Sequence, residues 1–177
     1  MTSAGSPWSR KVAVDDVPPT GAHFRLSADE HIRAELAKTA GLRELTRLEA
    51  SFEVNRQGGE GLRVIGEVTA TVGQNCVVTL EPMETDLRES VDLVFMPPAA
   101  AAGEANETTM RLDKREPPDT LSDGGVDLGA VATEFLLLGI EPYPCKPGAT
   151  FESASAGDPD SCPFAALSAL KTGKGGT

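Results

Sequence analysis

Leu48-Glu49-Ala50-Ser51-Phe52-Glu53-Val54 and, after a glycine-rich gap, Leu62-Arg63-Val64-Ile65-Gly66-Glu67-Val68-Thr69-Ala70-Thr71-Val72 decide the fold class. Leu48, Ala50, Phe52 and Val54 take every second position, with Arg47, Glu49, Ser51 and Glu53 on the alternate ones. Leu62, Val64, Gly66, Val68, Ala70 and Val72 repeat the pattern against Arg63, Glu67, Thr69 and Thr71; Ile65 breaks the polar side. Strand side chains alternate between faces, so a two-residue period this long predicts strands with one wet and one buried face. Gln57-Gly58-Gly59-Glu60-Gly61 can supply the hairpin turn between them.

Downstream, Leu87, Val91, Leu93 and Phe95 mark the inner face of a third strand over 84–95, with Glu89 an exception. Asn75 to Pro82 holds a short apolar run and a turn. Upstream, a short strand is expected over 10–17, stopped by Pro18 and Pro19, which lack the N–H a ladder needs. Ser27 and Glu30 have capping-box spacing and predict a helix carrying Ile32 and Leu36 on one face and ending at Gly41. Asp127 suits the cap of a second helix with an apolar face of Leu128, Val131, Ala132, Phe135, Leu136 and Leu138. Pro142 cannot continue it. Sequential antiparallel strands with one polar face need helices over the other. The expected fold is therefore α+β: an antiparallel, curled sheet packed with two main helices and a short C-terminal helix. One domain is expected over 10–151, with 97–123 a long acidic loop, and a flexible tail over 152–177. Phe164, Leu167 and Leu170 place a short apolar stripe on a helix at 163–171 within that tail. Residues 1–9 are small, polar and Pro-containing and are expected to be loose, the alternative being that Trp8 pins this end to the body.

Apolar residues make up 40% of the 177, enough for one core, and with few aromatics that core must be built from Val, Leu, Ala and Ile. The formal charge of -11 repels bare phosphate backbones at long range. Broad nucleic-acid binding is thus not expected, and DNA is not a partner; a basic protein would suit the charge. No run of 18 apolar residues spans a membrane, and the N-terminus lacks the apolar core of a signal peptide. The chain is expected to stay in the cytoplasm. Cys76, Cys145 and Cys162 are odd in number and widely spaced, so no disulfide scaffold is expected.

Motifs for catalysis fail one by one. Neither dinucleotide nor phosphate-loop glycine patterns occur, and no nucleophile elbow is present. His23 lies in a predicted loop and His31 in the first helical turn, beside Asp29 and Glu30, where an exposed role is expected. The 27 acidic residues will include chance neighbours, so proximity marks no catalytic pair. Cys76 reads as a small buried hydrophobe, and without a C-x-x-C pair no metal is expected. No cofactor is implied. Among the scattered cations, Arg111, Lys114 and Arg115 cluster, diluted by Asp113 and Glu116.

Cys76-Val77-Val78-Thr79-Leu80-Glu81-Pro82 with its following strand, then Val126-Asp127-Leu128-Gly129, then Glu141-Pro142-Tyr143-Pro144-Cys145-Lys146-Pro147-Gly148-Ala149 together resemble the large ribosomal RNA subunit accumulation protein family, also called YceD-like. Pro163-Phe164-Ala165-Ala166-Leu167 is similar to the tail of its alphaproteobacterial branch, and the resemblance covers roughly residues 10–171. It implies a role in accumulating large-subunit ribosomal RNA without an established enzymatic activity. Many relatives carry C-x-R-C-L where this chain has Cys76, Val77, Val78, Thr79 and Leu80. The arginine and second cysteine are replaced by Val78 and Thr79, so no metal is carried over. The matched positions to follow are Glu81, Pro82, Asp127, Leu128, Pro142, Tyr143, Lys146, Pro147 and Gly148. Pro82 can simply shape a turn, Asp127 cap a helix and Tyr143 cover a helix end. Lys146 is open to contact with RNA or an acidic surface.

The leading expectation is a non-catalytic assembly factor for the large ribosomal subunit. It would bind a ribosomal protein or the large-subunit ribosomal RNA precursor, with Arg111, Lys114, Arg115, Tyr143 and Lys146 as partner-binding residues. A general protein-interaction module unrelated to ribosomes and a carboxylate-based hydrolase are the alternatives. The first would lack a ribosomal partner; the second would need a deep polar pocket. Oligomeric state is left open.

Overall fold

The computed structural model describes residues 8–98, 119–121 and 124–151. Its elements are β1 (Lys11–Ala13), a 3-10 turn (Val14–Asp16), β2 (Ala22–Ser27), α1 (Glu30–Ala40), β3 (Glu44–Gln57), β4 (Gly61–Asn75), β5 (Pro82–Met96), β6 (Asp119–Thr120), β7 (Gly125–Asp127) and α2 (Leu128–Gly139). The main sheet has the order β2-β3-β4-β5-β6, antiparallel except for the parallel β5–β6 pair; β1 and β7 form a separate two-stranded ladder.

The alternating segments form the centre of this sheet. Leu48, Ala50, Phe52 and Val54 of β3, Leu62, Val64, Val68, Ala70 and Val72 of β4, and Leu87, Val91 and Phe95 of β5 are all buried in one apolar cluster. Leu36 and Ala37 of α1 and Leu128, Val131, Ala132 and Leu136 of α2 complete it. Burying each large side chain contributes about 1.5–3 kcal/mol before entropy is counted, so the core rests on aliphatic mass. The hairpin turn falls at Gly58-Gly59-Glu60, where the glycine-rich gap places it.

The sheet is α+β and mostly antiparallel, as the alternation requires, but it is open and not curled. It ends on β2 at one edge and β6 at the other. Curling needs bulges that re-aim the strands. Here β4 and β5 keep register from Leu62↔Phe95 to Asn75↔Pro82 without a shift, and β3–β4 has one irregularity, between Leu45 and Arg47. The expected C-terminal helix at 163–171, the tail over 152–177, and nearly all of the 97–123 loop lie outside the described residues.

Three boundaries differ from expectation. The first strand shortens to Lys11–Ala13 because Val14–Asp16 turn into a 3-10 helix. His23 sits on a strand, β2, where Ala22, Phe24 and Leu26 are partly buried and His23, Arg25 and Ser27 exposed. Ser27 closes that strand, and the cap of α1 is Asp29, whose Oδ1 accepts from Ile32 N–H at 2.8 Å. Gly41 ends α1 as expected, in the left-handed region at φ 66°. On α2, Leu138 is 71% exposed despite its place in the apolar pattern, because it stands at the margin of the stripe in the last turn. Trp8 is 6% exposed and joins the core.

Candidate functional site

Among the described residues, two surfaces carry chemically active groups. The first is the wet face of the sheet. Antiparallel register aligns Arg25, Ser51, Glu67 and Ser90 across β2–β5, and Ser27, Glu49, Thr69 and Arg88 beside them. Arg47, Thr71 and Asp86 form the next row. The result is an open groove of about 700 Å³ lined by three arginines (Arg25, Arg47, Arg88) and three acids (Glu49, Glu67, Asp86). Arg88 pairs with Glu67 at 3.0 Å, and Arg47 lies 3.8 Å from Asp86. Thr71 Oγ1 donates to Asp86. Beyond the groove, Arg63 grips Asp92 with two bonds, at 2.9 and 2.8 Å. Among the described residues Arg25 makes no ion pair. Exposed pairs of this kind contribute about 0–1 kcal/mol to stability. They can exchange partners cheaply, which suits a binding surface.

The second surface is a knot of two loops. After β4 the chain makes a tight turn: Leu80 N–H donates to Cys76 O, and Cys76 N–H donates to Glu81 O, both at 2.9 Å. Val77 N–H reaches across to Pro144 O at 2.9 Å, tying this turn to the segment that follows α2. Gln74 Nε2 donates to Glu141 O in the same direction, at 2.9 Å. Cys76 sits at the centre of the knot and is fully buried. Its Sγ accepts from Lys146 N–H at 3.4 Å and from Thr79 N–H at 3.5 Å. The Thr79 hydroxyl, then the Lys146 and Thr79 amides, outweigh the opposing effect of burial and bring the Cys76 pKa down to about 6. Thr79 thus serves this sulfur through both its hydroxyl and its amide.

Cys145 immediately precedes Lys146, whose amide meets Cys76 Sγ, and is exposed. Partial desolvation, then the hydrogen bond and charge of Cys76, push its thiol up. Lys146 Nζ pairs with Glu81 Oε2 at 2.8 Å, and that cation holds the Glu81 carboxyl below its ordinary range. Lys146 thus links the two loops twice, through its amide and its ammonium. Tyr143 stands 75% exposed at the rim. Tyr143 and Lys146 both lie in the loop after α2, three residues apart. Arg111, Lys114 and Arg115 lie outside the described residues.

At the other end of α2, Asp127 caps the helix through Gly129 N–H at 3.0 Å and Ala130 N–H at 3.3 Å. It also accepts from Ser9 Oγ at 2.6 Å and Arg10 N–H at 2.7 Å. Burial raises its carboxyl, but these donors prevail and hold its pKa below the ordinary value. Its role is therefore structural. The groove arginines Arg25, Arg47 and Arg88 and the Cys76–Cys145 neighbourhood go unnoticed in the sequence. The first could be found by aligning the polar positions of paired strands. The second has no local signal, because 69 residues separate the thiols.

A family model described as "Large ribosomal RNA subunit accumulation protein YceD" matches residues 64–171, more than half of the chain. The match takes in most of β4, the knot of loops, β5 to β7 and α2. No curated protein matches, and no solved structure does.

Proposed function

The chain belongs to the YceD family of large ribosomal RNA subunit accumulation proteins, and from that premise we propose that it supports large-subunit ribosomal RNA accumulation as a non-catalytic binding factor in the cytoplasm. Its partner is a basic ribosomal protein, held on the wet face of the sheet. The observation that carries this reading is the groove in which Glu49, Glu67 and Asp86 lie beside Arg47 and Arg88 on an open, solvated surface. A lysine- or arginine-rich partner gains by displacing the arginines from their carboxylates. The loss to the fold is small, because the intramolecular pairs are exposed. The overall charge of -11 favours the same class of partner by long-range attraction.

The test is a titration of the full chain with newly synthesised large-subunit proteins at low and high salt. A salt-sensitive complex, weakened when Glu49, Glu67 and Asp86 are changed together to Gln, Gln and Asn, is the expected outcome. Failure to find any salt-sensitive partner among those proteins overturns the reading.

Direct contact with the large-subunit ribosomal RNA precursor is the second reading. It is favoured by the exposed Tyr143 ring in the same loop as Lys146, since a ring can stack on a base and a lysine can meet a phosphate. Arg111, Lys114 and Arg115 would add to it. Changing these four cations to Ala should then lower both RNA affinity and its salt dependence. Unchanged RNA affinity removes this reading and leaves the protein-partner one intact.

A further inference from the structure

We propose that Cys145 and Cys76 form a thiol–disulfide exchange site, in which exposed Cys145 takes a low-molecular-weight disulfide of the glutathione class and buried Cys76 closes on it. The placement of the two residues carries the proposal. Val77 N–H bonds to Pro144 O and Lys146 N–H bonds to Cys76 Sγ, so residue 76 is bracketed directly opposite residue 145. Lys146 is joined directly to Cys145, so its 3.4 Å contact with Cys76 Sγ holds the two cysteines near each other; closure into a disulfide needs their Cα atoms about 4.4–6.8 Å apart. Cys145 Sγ donates to Lys146 O at 3.7 Å, and the N–H of the same Lys146 meets Cys76 Sγ at 3.4 Å, so both thiols converge on one residue. They also differ in access: Cys76 is fully buried and Cys145 exposed. Of the two cysteines among the described residues, Cys145 is the one an external disulfide can reach, and Cys76 stands behind it.

The chemistry proceeds in two exchanges. Cys145 Sγ loses its proton and attacks one sulfur of oxidised glutathione, whose S–S bond breaks. One glutathione thiolate leaves, and a Cys145–glutathione mixed disulfide remains. The Cys76 thiolate then attacks Cys145 Sγ, the mixed bond breaks, and the second glutathione leaves. Two electrons pass from the cysteine pair to glutathione disulfide, which is recovered as two thiols after each thiolate takes a proton. The N–H and O–H donors from Thr79 and Lys146 keep Cys76 in the attacking form at neutral pH. The raised Cys145 pKa makes the first exchange the slow one, faster as the pH rises. The product fastens the Cys76–Glu81 turn covalently to the loop after α2.

The test uses the full chain carrying Cys162→Ser, so that only these two thiols remain. The reduced protein is incubated with oxidised glutathione, quenched with an alkylating agent, and read by intact mass and by peptides cut after glutamate. The expected product has lost two hydrogens, carries no glutathione, and yields a Cys76–Cys145 linked peptide. With Cys145→Ser also present, Cys76 should stay unmodified under the same conditions. With Cys76→Ser, the glutathione adduct on Cys145 should accumulate in place of the closed form. A persistent adduct on Cys145 in the chain that retains both thiols overturns the proposal. So does equal modification of Cys76 in the presence and absence of Cys145. Should Cys76→Ser fail to fold, the first two proteins still decide the matter. The outcome is independent of whether the sheet face binds a ribosomal protein.

Discussion

Phe52 on β3 stands directly across from Gly66 on β4, and its ring fills the space a side chain at residue 66 would need. A Cβ built on Gly66 overlaps the Ser51 carbonyl and comes within 2.7 Å of Phe52 Cδ1. The glycine thus lets the Ser51 carbonyl and then the buried Phe52 ring close over residue 66 in the middle of the sheet. Gly66→Ala should destabilise the protein by about 1–3 kcal/mol, the usual range for overpacking a filled core. Urea denaturation would read this directly. The double variant Phe52→Leu, Gly66→Ala should recover part of the loss, since the smaller side chain vacates the contested space. Full additivity of the two changes would count against the packing account.

Asp127 joins two parts of the chain that are far apart in sequence, holding Ser9 and Arg10 against the start of α2. Asp127→Ala should cost about 1–2 kcal/mol, the upper range for losing a helix cap. The pH dependence has a defined sign. The folded pKa is depressed below 3.8, so the carboxylate's contribution is present above that unfolded value and is lost as pH falls through the folded one. The parent protein should therefore lose stability to acid more steeply than Asp127→Ala. Thermal midpoints measured across the acid range, with equal slopes for the two proteins, would refute the assignment.

Much of this fold can be read directly from residue patterns. The β3–β4–β5 core follows from alternation at Leu48 to Val54 and Leu62 to Val72, and Asp127 reads correctly as a cap, because both signals are local. The strand β2 was obscured by a competing local signal. Ser27 and Glu30 mimic a capping box, although Asp29 makes the bond and Ser27 belongs to a strand paired with β3. The parallel β6 and the open, uncurled sheet depend on pairings between distant segments, which no local pattern encodes. The same holds for the knot at Cys76. Its apolar neighbours Val77 and Val78 suggest plain burial, and burial is found, but the amide of Lys146 arrives from 70 residues away to favour the thiolate.

That thiolate should be visible in stability. The Cys76 pKa is lowered from 9.0 to about 6, so folding favours the ionised form. Its contribution is fully present above the unfolded value, diminishes below it, and is lost as pH falls through about 6. Denaturation midpoints should therefore rise between about pH 6 and pH 9 in the parent protein. Cys76→Ala should lack this rise. The raised pKa of Cys145 acts on the other side, favouring the thiol and withdrawing stability only at still higher pH. A flat profile for the parent protein under reducing conditions would show that the Thr79 and Lys146 donors do not hold an ionised sulfur.

Leu80 combines two features that are costly for a leucine. It adopts φ 59°, in the left-handed region, and its side chain is 76% exposed. The turn requires that backbone, because Leu80 N–H must return to Cys76 O while Cys76 N–H meets Glu81 O. A β-carbon in this region costs about 1–2 kcal/mol, and glycine gives back roughly 0.5–1 kcal/mol of that through its freer unfolded chain. Leu80→Gly should therefore stabilise the protein by up to about 1 kcal/mol, whereas Leu80→Ala, which keeps the β-carbon, should give no such gain. An equal gain from both would place the cost in the exposed side chain and not in the backbone. One use for the exposed side chain would be as an apolar tip next to Glu81, offered to a partner of the knot. If that is its use, Leu80→Gly should raise the denaturation midpoint and weaken partner binding in the same protein. A variant that gains stability and binds unchanged would leave the strain without a function.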